Sequence, residues 1–316
     1  MMPEAEAWAV AEEVAAIRQL CEERNAVILA HNYMTPDIFH GVADITGDSL
    51  ALARAAATTD ADVIVFAGVH FMAETAAITC PDRTVLIPDP TAGCSLAESI
   101  TAADVRALRH RHPGVPIVAY VNTSAAVKAE VDICCTSGNA VEVVRSLGAA
   151  EVIMLPDRHL AAWVAGQVPD IRIIPWHGAC EVHDRFTGSQ VRSLRTDGVT
   201  VIAHPECPAD VLAEADFVGS TAAMTRYVTV HRPRRVALIT ECSMADNVAA
   251  DCPDVEFVRP CNLCPHMKKI TLAGIHRSLA TMTHQVTVPE GVTAAARRSI
   301  DAMLAVPAAA AVVGAR

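Results

Sequence analysis

Short apolar runs alternate along the chain with longer stretches that are rich in alanine and polar residues. Runs such as 62–68 and 150–156 are largely apolar, which is typical of strands buried on both faces of a parallel sheet. Stretches such as 50–58 and 102–110 have the composition of helices and stand between these runs. The alternation predicts the α/β class, with parallel sheets covered by helices.

The same order of predicted elements occurs three times, so the chain contains an internal repeat. In each copy an apolar strand runs directly into polar residues. These strand ends are His31-Asn32-Tyr33, Tyr120-Val121-Asn122 and His204-Pro205-Glu206. Ligands bind at the carboxyl ends of parallel strands, so these residues are candidates for a site. We therefore predict three similar α/β domains, related by pseudo-threefold symmetry around a central active site.

The repeat also predicts the domain boundaries. Residues 1–111 form the first unit, 112–196 the second and 197–279 the third, and the tail 280–316 is expected to join the first unit. With 316 residues and 52% hydrophobic content, the chain can bury a large core. Because no long linker or low-complexity segment interrupts the body, we expect the three units to pack together.

Composition and charge exclude several classes of function. The start of the chain carries Glu4, Glu6, Glu12 and Glu13, whereas an export signal has a basic start and an apolar run. The alanine-rich tail, 302–315, is too short and too interrupted by proline to span a membrane. A net charge of −11 disfavours nucleic acid, although helix N-termini still bind small anions. We expect a cytoplasmic protein that binds neither nucleic acid nor membrane.

Eleven cysteines in such a chain argue against a disulfide framework and for metal or redox chemistry in some of them. Several are explained as small buried apolar groups. These are Cys21, Cys80, Cys134 and Cys252, while Cys135 and Cys207 lie nearer the strand ends without equivalents in the other repeats. Cys94, Cys180 and Cys264 differ because each follows the fourth strand of its repeat, at intervals of 86 and 84 residues. We predict that these three bind a metal.

The identity of the metal stays open on these residues alone. Cys261 and Cys264 could form half of a zinc site, a redox pair or a disulfide, and Cys261 could replace Cys264 as a ligand. A single pair at this spacing is a weak zinc signal. Three thiolates suit zinc or an iron–sulfur cluster and leave one metal position open. An open iron can act as a Lewis acid, which is the chemistry we expect.

Eight short motifs along the chain resemble those of the quinolinate synthase family. They are Ala30-His31-Asn32-Tyr33, Gly47-Asp48-Ser49-Leu50, Phe71-Met72-Ala73-Glu74, Tyr120-Val121-Asn122, Thr136-Ser137-Gly138-Asn139-Ala140, His204-Pro205-Glu206-Cys207, Gly219-Ser220-Thr221 and Met267-Lys268-Lys269. They stand in the family's order and together cover most of the chain. The resemblance implies three α/β domains around a central [4Fe-4S] cluster held by one cysteine from each, which matches Cys94, Cys180 and Cys264. It favours Cys264 over Cys261, because Cys264 directly precedes the segment 265–269 as the family's ligand does.

The resemblance also implies an activity. The family condenses iminoaspartate with dihydroxyacetone phosphate to quinolinate, with loss of phosphate and water, in NAD biosynthesis. The iron–sulfur cluster then serves as a Lewis acid without net oxidation or reduction. The expected partners are these small molecules, together with a functional link to an aspartate-oxidising enzyme that supplies iminoaspartate. Family correspondence marks five residues as substrate contacts: His31, Tyr120, Asn122, His204 and Glu206.

Three hydroxyl residues, Ser49, Ser137 and Thr221, occupy equivalent repeat positions just before predicted helices. Hydroxyls and free backbone N–H groups at such positions can bind the phosphate and carboxylates of the substrates. A plain helix cap is the alternative explanation for each residue taken alone. Three equivalent copies facing one cavity favour substrate binding.

Proton transfer in this reaction requires an acid or base, and Glu206 is the best candidate. A carboxyl group in a closed pocket can have its pKa raised toward neutrality. Tyr33 and Tyr120 are candidate proton donors at matching strand ends, and His204 is a further candidate catalytic residue. His183 either lies behind the iron–sulfur cluster or contacts substrate.

Two other classes of function stay open. Another three-domain iron–sulfur enzyme, of the reductive dehydroxylase or diphthamide-synthesis type, would share the cysteine placement without needing His204-Pro205-Glu206 or Gly47-Asp48-Ser49. A non-catalytic iron–sulfur carrier would explain the thiols or the polar loops, but not both in equivalent positions. A carrier would also give its cluster to an acceptor and release no phosphate.

Overall fold

The structure is a computed structural model that describes residues 4–195 and 198–306, with side chains from residue 8 onward. The strands are β1 (Ala26–His31), β2 (Ile45–Gly47), β3 (Val63–Ala67), β4 (Thr84–Leu86), β5 (Ile117–Tyr120), β6 (Ile133–Cys135), β7 (Glu151–Leu155), β8 (Arg172–Pro175), β9 (Thr200–Ala203), β10 (Phe217–Val218), β11 (Arg235–Ile239) and β12 (Glu256–Val258). The helices are α1 (Glu4–Arg24), α2 (Pro36–Phe39), α3 (Ser49–Thr58), α4 (His70–Thr79), α5 (Ser95–Glu98), α6 (Ala102–Arg111), α7 (Ala125–Lys128), α8 (Ala140–Ser146), α9 (Arg158–Gln167), α10 (Gly188–Leu194), α11 (Ala209–Leu212), α12 (Thr221–His231), α13 (Cys242–Asp251), α14 (Leu272–Thr281) and α15 (Glu290–Ala305).

The strands form three four-stranded sheets in which every pair is parallel. Their orders are β2-β1-β3-β4, β6-β5-β7-β8 and β10-β9-β11-β12, so the same order recurs in each unit. Strand β3 is apolar and buried along its whole length, as a strand covered on both faces should be. The predicted α/β class with three parallel-sheet units is confirmed. The threefold relation and the unit boundaries stay predictions, and the boundary at 196–197 lies outside the described residues.

An aspartate anchors the first strand of each sheet. The three residues accept hydrogen bonds at Oδ2 from backbone N–H groups of that strand, at 2.8, 2.7 and 2.8 Å. They are Asp44, Asp132 and Asp216. Each carboxylate also pairs with an arginine, and these partners are Arg18, Arg109 and Arg195. Because the ion pairs are partly exposed, we expect the backbone hydrogen bond to fix the strand and the charge pair to add little.

One apolar core is continuous across the first two units and includes Met267, Ile270 and α14 of the third, whereas the third sheet has cores of its own. One group of buried residues joins the first two sheets with α14 and α15. The third sheet has one buried group on each face, and neighbouring residues of β9 divide between them, Ile202 in one and Val201 in the other. Polar contacts join this unit to the first: Asn247 donates from Nδ2 to the carbonyl oxygens of Asn32 and Met34, at 3.1 and 2.8 Å.

Helix α15 packs between the first two units. It contacts α4 of the first and α7 and β6 of the second. Ser299 donates from Oγ to the carbonyl oxygen of Lys128 at 2.8 Å, and Arg297 donates to that of Thr79 at 2.9 Å. The assignment of the tail 280–316 to the first unit stays a prediction, and residues 307–316 lie outside the described part.

The longest helix, α1, has 21 residues and packs against α14. Glutamate and arginine side chains recur along its sequence. Within residues 4–195 and 198–306, no helix combines the length and the apolar character that crossing a membrane requires.

We predict that Ile300→Ala lowers the free energy of unfolding by about 2–5 kcal/mol, because Ile300 is fully buried in α15 where two units meet. Urea unfolding of the purified protein measures this. Arg298→Ala, an exposed change two residues earlier, is the control and should change the free energy by less than about 0.5 kcal/mol. Equal effects of the two changes would show that α15 is not part of the core.

Candidate active site

One cavity lies at the carboxyl ends of the strands and is lined by residues of all three units. Strand β1 ends at His31, β5 ends at Tyr120 and β9 ends just before His204. The cavity brings together every candidate residue of the sequence. They are His31, Tyr33, Ser49, Cys94, Tyr120, Asn122, Ser137, Cys180, His204, Glu206, Thr221 and Cys264. These residues therefore share one cavity, while the role of each one stays a prediction.

Cys94, Cys180 and Cys264 each begin the same short helical turn. The carbonyl oxygen of each cysteine accepts a hydrogen bond from the backbone N–H four residues on, at 3.0, 2.9 and 3.2 Å. Burial raises the pKa of each thiol, while the backbone N–H groups two and three residues on act to lower it. Such donors stabilise a thiolate, which is the form that binds metal. The three thiols therefore have matching surroundings as well as matching repeat positions.

Cys261 forms a disulfide with Cys242. The alternatives in which Cys261 pairs with Cys264, or replaces Cys264 as a metal ligand, are therefore wrong. Cys264 keeps a free thiol. The sequence argued against a disulfide framework, and the structure has this one disulfide among the described residues, while nine cysteines are free. A parallel bridge between Glu241 and Asn262 places the start of α13 beside the loop before Cys264, so Cys242 and Cys261 are neighbours. Cys242 has no equivalent in the other repeats, so repeat position could not identify it.

Glu206 is buried between two imidazoles. Its Oε2 lies 2.9 Å from Nδ1 of His183 and 3.2 Å from Nδ1 of His204, and the two rings stack with centroids 4.7 Å apart. Burial alone would raise the pKa of the carboxyl group, but the two imidazoles bring it below its usual value. The expectation of a pKa raised toward neutrality is therefore wrong. Its Oε1 is buried and has no hydrogen-bond partner among the described residues.

His183 connects this carboxylate with a cysteine and a tyrosine. Ligand atoms of Cys180, His183 and Glu206 all lie within 4.8 Å of one another. Nε2 of His183 lies 2.9 Å from Oγ1 of Thr240, and that oxygen lies 2.7 Å from the hydroxyl of Tyr33. His183 thus lines the cavity beside both a candidate metal ligand and the candidate acid–base residue.

His31 and the two tyrosines have defined protonation states at neutral pH. Burial lowers the pKa of His31 from 6.5 to about 3, with a smaller contribution from His204. The backbone N–H of Tyr33 donates to Nδ1 of His31 at 3.2 Å, so Nε2 carries the proton of the neutral ring. Burial raises the pKa of Tyr33 and Tyr120 well above 10, and the Glu206 carboxylate raises it further. His31 is therefore uncharged, and both tyrosines are protonated.

The helix-cap alternative does not apply to Ser49 and Thr221. Each is the first residue of its helix, and the capping side chain belongs to the residue before it: Asp48 accepts from the backbone of α3 at 2.9 Å and Ser220 from that of α12 at 3.3 Å. Ser137 lies before α8, with its Oγ 3.2 Å from Nε2 of His204. The hydroxyls of Ser49 and Thr221 are thus not needed as caps.

Several residues around the cavity were not identified from the sequence. Thr240, Asp157 and Glu241 follow the third strand of their sheets, as the candidate residues follow the first. That shared position is the signal that could have found them. Lys268 belongs to a recognised motif, and its Nζ lies 3.0 Å from Oε1 of Glu241.

We predict that His31→Gln makes the free energy of unfolding less dependent on pH between pH 7 and pH 5. The unfolded state binds a proton on His31 near pH 6.5 and the folded state only near pH 3, so this contribution is present above pH 6.5 and is lost as pH falls toward 3. Between pH 7 and pH 5 the parent should lose about 2 kcal/mol more than the variant in urea unfolding. The exposed His110→Gln is the control and should follow the parent. Parallel curves for parent and His31→Gln would contradict the buried neutral imidazole.

Proteins of known family share most of this sequence. The family model for quinolinate synthetase A protein matches residues 15–305. Quinolinate synthase 1 of Mesorhizobium japonicum is 64% identical over 300 residues, which cover 94% of this chain and 92% of that protein. The quinolinate synthases of Xylella fastidiosa and Agrobacterium fabrum are 62% and 60% identical, over 93% and 96% of this chain and 87% and 88% of theirs. The chain belongs to the quinolinate synthetase A family.

Proposed function

We propose that the protein is a quinolinate synthase of NAD biosynthesis, which condenses iminoaspartate with dihydroxyacetone phosphate and releases phosphate and water. The observation that carries this proposal is the shared cavity. Three equivalent cysteine turns, one from each unit, open into the same space as a buried carboxylate held between two imidazoles. Family membership agrees with that combination.

The residues present fit an iron–sulfur cofactor, and we propose a [4Fe-4S] cluster held by Cys94, Cys180 and Cys264. All three thiols are free, line the cavity and face two backbone N–H groups each. Thiolate is the ligand type that iron–sulfur clusters use. When bound, such a cluster with three protein ligands supplies an open iron that acts as a Lewis acid.

Substrate anions would bind at the hydroxyls and helix starts that line the cavity. Ser49 begins α3 and Thr221 begins α12, and the first backbone N–H groups of a helix attract phosphate and carboxylate. Asn32 donates from Nδ2 to Oγ1 of Thr221 at 2.8 Å, which fixes that hydroxyl. Oδ1 of Asn122 is buried in the cavity wall without a partner among the described residues, and so remains available to a substrate N–H or O–H.

Glu206 would act as the general base. Because the neighbouring imidazoles keep it ionised, and Oε1 has no hydrogen-bond partner among the described residues, that oxygen can accept a proton from substrate. His183 and His204 would stabilise the carboxylate and take part in passing the proton on. Tyr33 and Tyr120 keep their protons and would donate hydrogen bonds to substrate oxygens.

A supply of iminoaspartate follows from this proposal. The imine hydrolyses in water, so we propose a functional link to an enzyme that oxidises aspartate. No contact surface for such a partner is assigned.

The thiol assignment predicts that Cys94→Ala removes both the iron–sulfur cluster and the activity. After anaerobic purification, iron and sulfide counting and a quinolinate assay should both give values near zero, because two thiolates hold a cluster poorly. Cys21→Ala is the control, since Cys21 is buried outside the cavity, and it should keep iron and activity. Quinolinate formed at the parental rate by Cys94→Ala would sink the assignment.

The base assignment predicts a different outcome for Glu206→Gln. This variant should keep its iron and lose about 10²- to 10⁴-fold in the rate of quinolinate formation, because the amide cannot accept the proton. Glu12→Gln, an exposed change in α1, should behave as the parent.

A carrier protein would show phosphate release in neither the parent nor any variant, and would pass its cluster to an apo acceptor.

A further inference from the structure

Two buried carboxyl groups outside the cavity lie beneath cysteine turns. Asp157 and Glu241 hold equivalent places, because each follows the third strand of its sheet and caps the next helix, α9 or α13. Each also forms a parallel bridge to a residue two positions before a cysteine, Gly178 in the second unit and Asn262 in the third. Their exposed fractions are 2% and 1%. The repeat therefore places two carboxyl groups behind two candidate ligands.

In the third unit, the carboxylate joins the helix start to the cysteine turn. Oε2 of Glu241 accepts from the backbone N–H of Ser243 at 2.8 Å, and Oε1 accepts from that of Cys264 at 3.4 Å. Lys268 lies 3.0 Å from the same Oε1 and donates to the carbonyl oxygen of Tyr33 at 2.7 Å. Glu241 thus ties the Cys264 turn both to its own unit and, through Lys268, to the first.

The second unit has a similar arrangement. Oδ1 of Asp157 accepts from the backbone N–H of Leu160 at 2.7 Å. The backbone N–H of Arg158, the next residue, donates to the carbonyl oxygen of Gly178 at 2.8 Å, so Asp157 lies against the loop directly before Cys180. Oδ2 is buried without a hydrogen-bond partner among the described residues. A buried oxygen without a partner costs free energy, so capping alone explains this residue poorly.

The first unit shows that the fold does not need a carboxyl group at this place. Val69 takes the equivalent position before α4, and no side-chain cap is present there. A backbone hydrogen bond from His70 to the carbonyl oxygen of Ala92, at 2.7 Å, joins the helix start to the loop before Cys94. The helix and the loop both form with valine. Asp157 and Glu241 cap α9 and α13, but the first unit shows that such a cap is not required for the helix and the loop to form.

We propose that Asp157 and Glu241 are positioning residues for the ligands Cys180 and Cys264. Glu241 accepts a hydrogen bond from the Cys264 turn, and Asp157 is bridged to the loop directly before Cys180, so that each would keep its thiol at a fixed place in the cavity wall. This inference rests on the proposed function, since it takes these thiols as ligands of an iron–sulfur cluster. Groups that orient metal ligands from behind change metal affinity by about 10- to 100-fold when removed.

Iron release to a chelator, measured on the anaerobic holoenzyme, tests the proposal. Asp157→Ala should release iron about tenfold faster than the parent or more, whereas Asp157→Asn keeps an acceptor oxygen and should stay within about twofold. Glu241→Ala and Glu241→Gln form a second, independent pair with the same expectation. The electron paramagnetic resonance spectrum of the reduced cluster should change in the alanine variants and return in the amide variants.

Asp216→Ala is the matched control, because Asp216 also accepts a backbone N–H, from Val201 at 2.8 Å, but contacts no cysteine turn. It should lower stability and leave iron release unchanged. Parental release rates in both alanine variants, or equally fast release from Asp216→Ala, would overturn the inference. Failure of the proposed function is distinguishable, since the parent itself would then hold no iron or form no quinolinate. If one alanine variant does not fold, the other pair decides.

Discussion

Three cysteines from distant parts of the chain line one cavity, and this convergence depends on parallel sheets that share one strand order. Each thiol stands at the start of a short turn beyond the fourth strand of its sheet, and the sheets share one strand order. Parallel strands direct all their carboxyl ends to the same edge, so a cysteine placed there and repeated in each unit can meet its equivalents. The polar residues after the first strands arrive at the cavity for the same reason.

Buried charge sets the chemistry that the cavity can perform. Burial alone would raise the pKa of the Glu206 carboxyl group, but two imidazoles at 2.9 and 3.2 Å bring that pKa below its usual value and keep the group ionised. The same burial keeps His31 neutral and the tyrosines protonated. One carboxylate and several neutral hydrogen-bonding groups therefore line the cavity. The protonation state of each of these side chains is set by its surroundings more than by its residue type.

The sequence predicted what depends on local pattern and repeat position. The α/β class with three parallel-sheet units and the location of Cys94, Cys180 and Cys264 in one cavity follow from periodicity and spacing. It did not predict features that depend on which side chains meet across units. Predicting the ionised state of Glu206 would have required knowing that two imidazoles face it. Predicting the disulfide of Cys261 would have required knowing that Cys242 lies beside it. Ser49 and Thr221 were expected just before helices and are instead the first residues of α3 and α12, because pattern alone does not give φ and ψ.

The separate core of the third sheet has a consequence for how the cavity is closed. Residues 267–279 of the third unit share the core of the first two units, whereas α13 meets the first unit through directional polar contacts, among them those of Asn32 and Asn247. Water can replace a hydrogen bond at small net cost, whereas it cannot replace a shared apolar core. The polar contacts of α13 can therefore exchange with water at less cost in free energy than the apolar contacts of α14, and they can do so while every sheet stays intact.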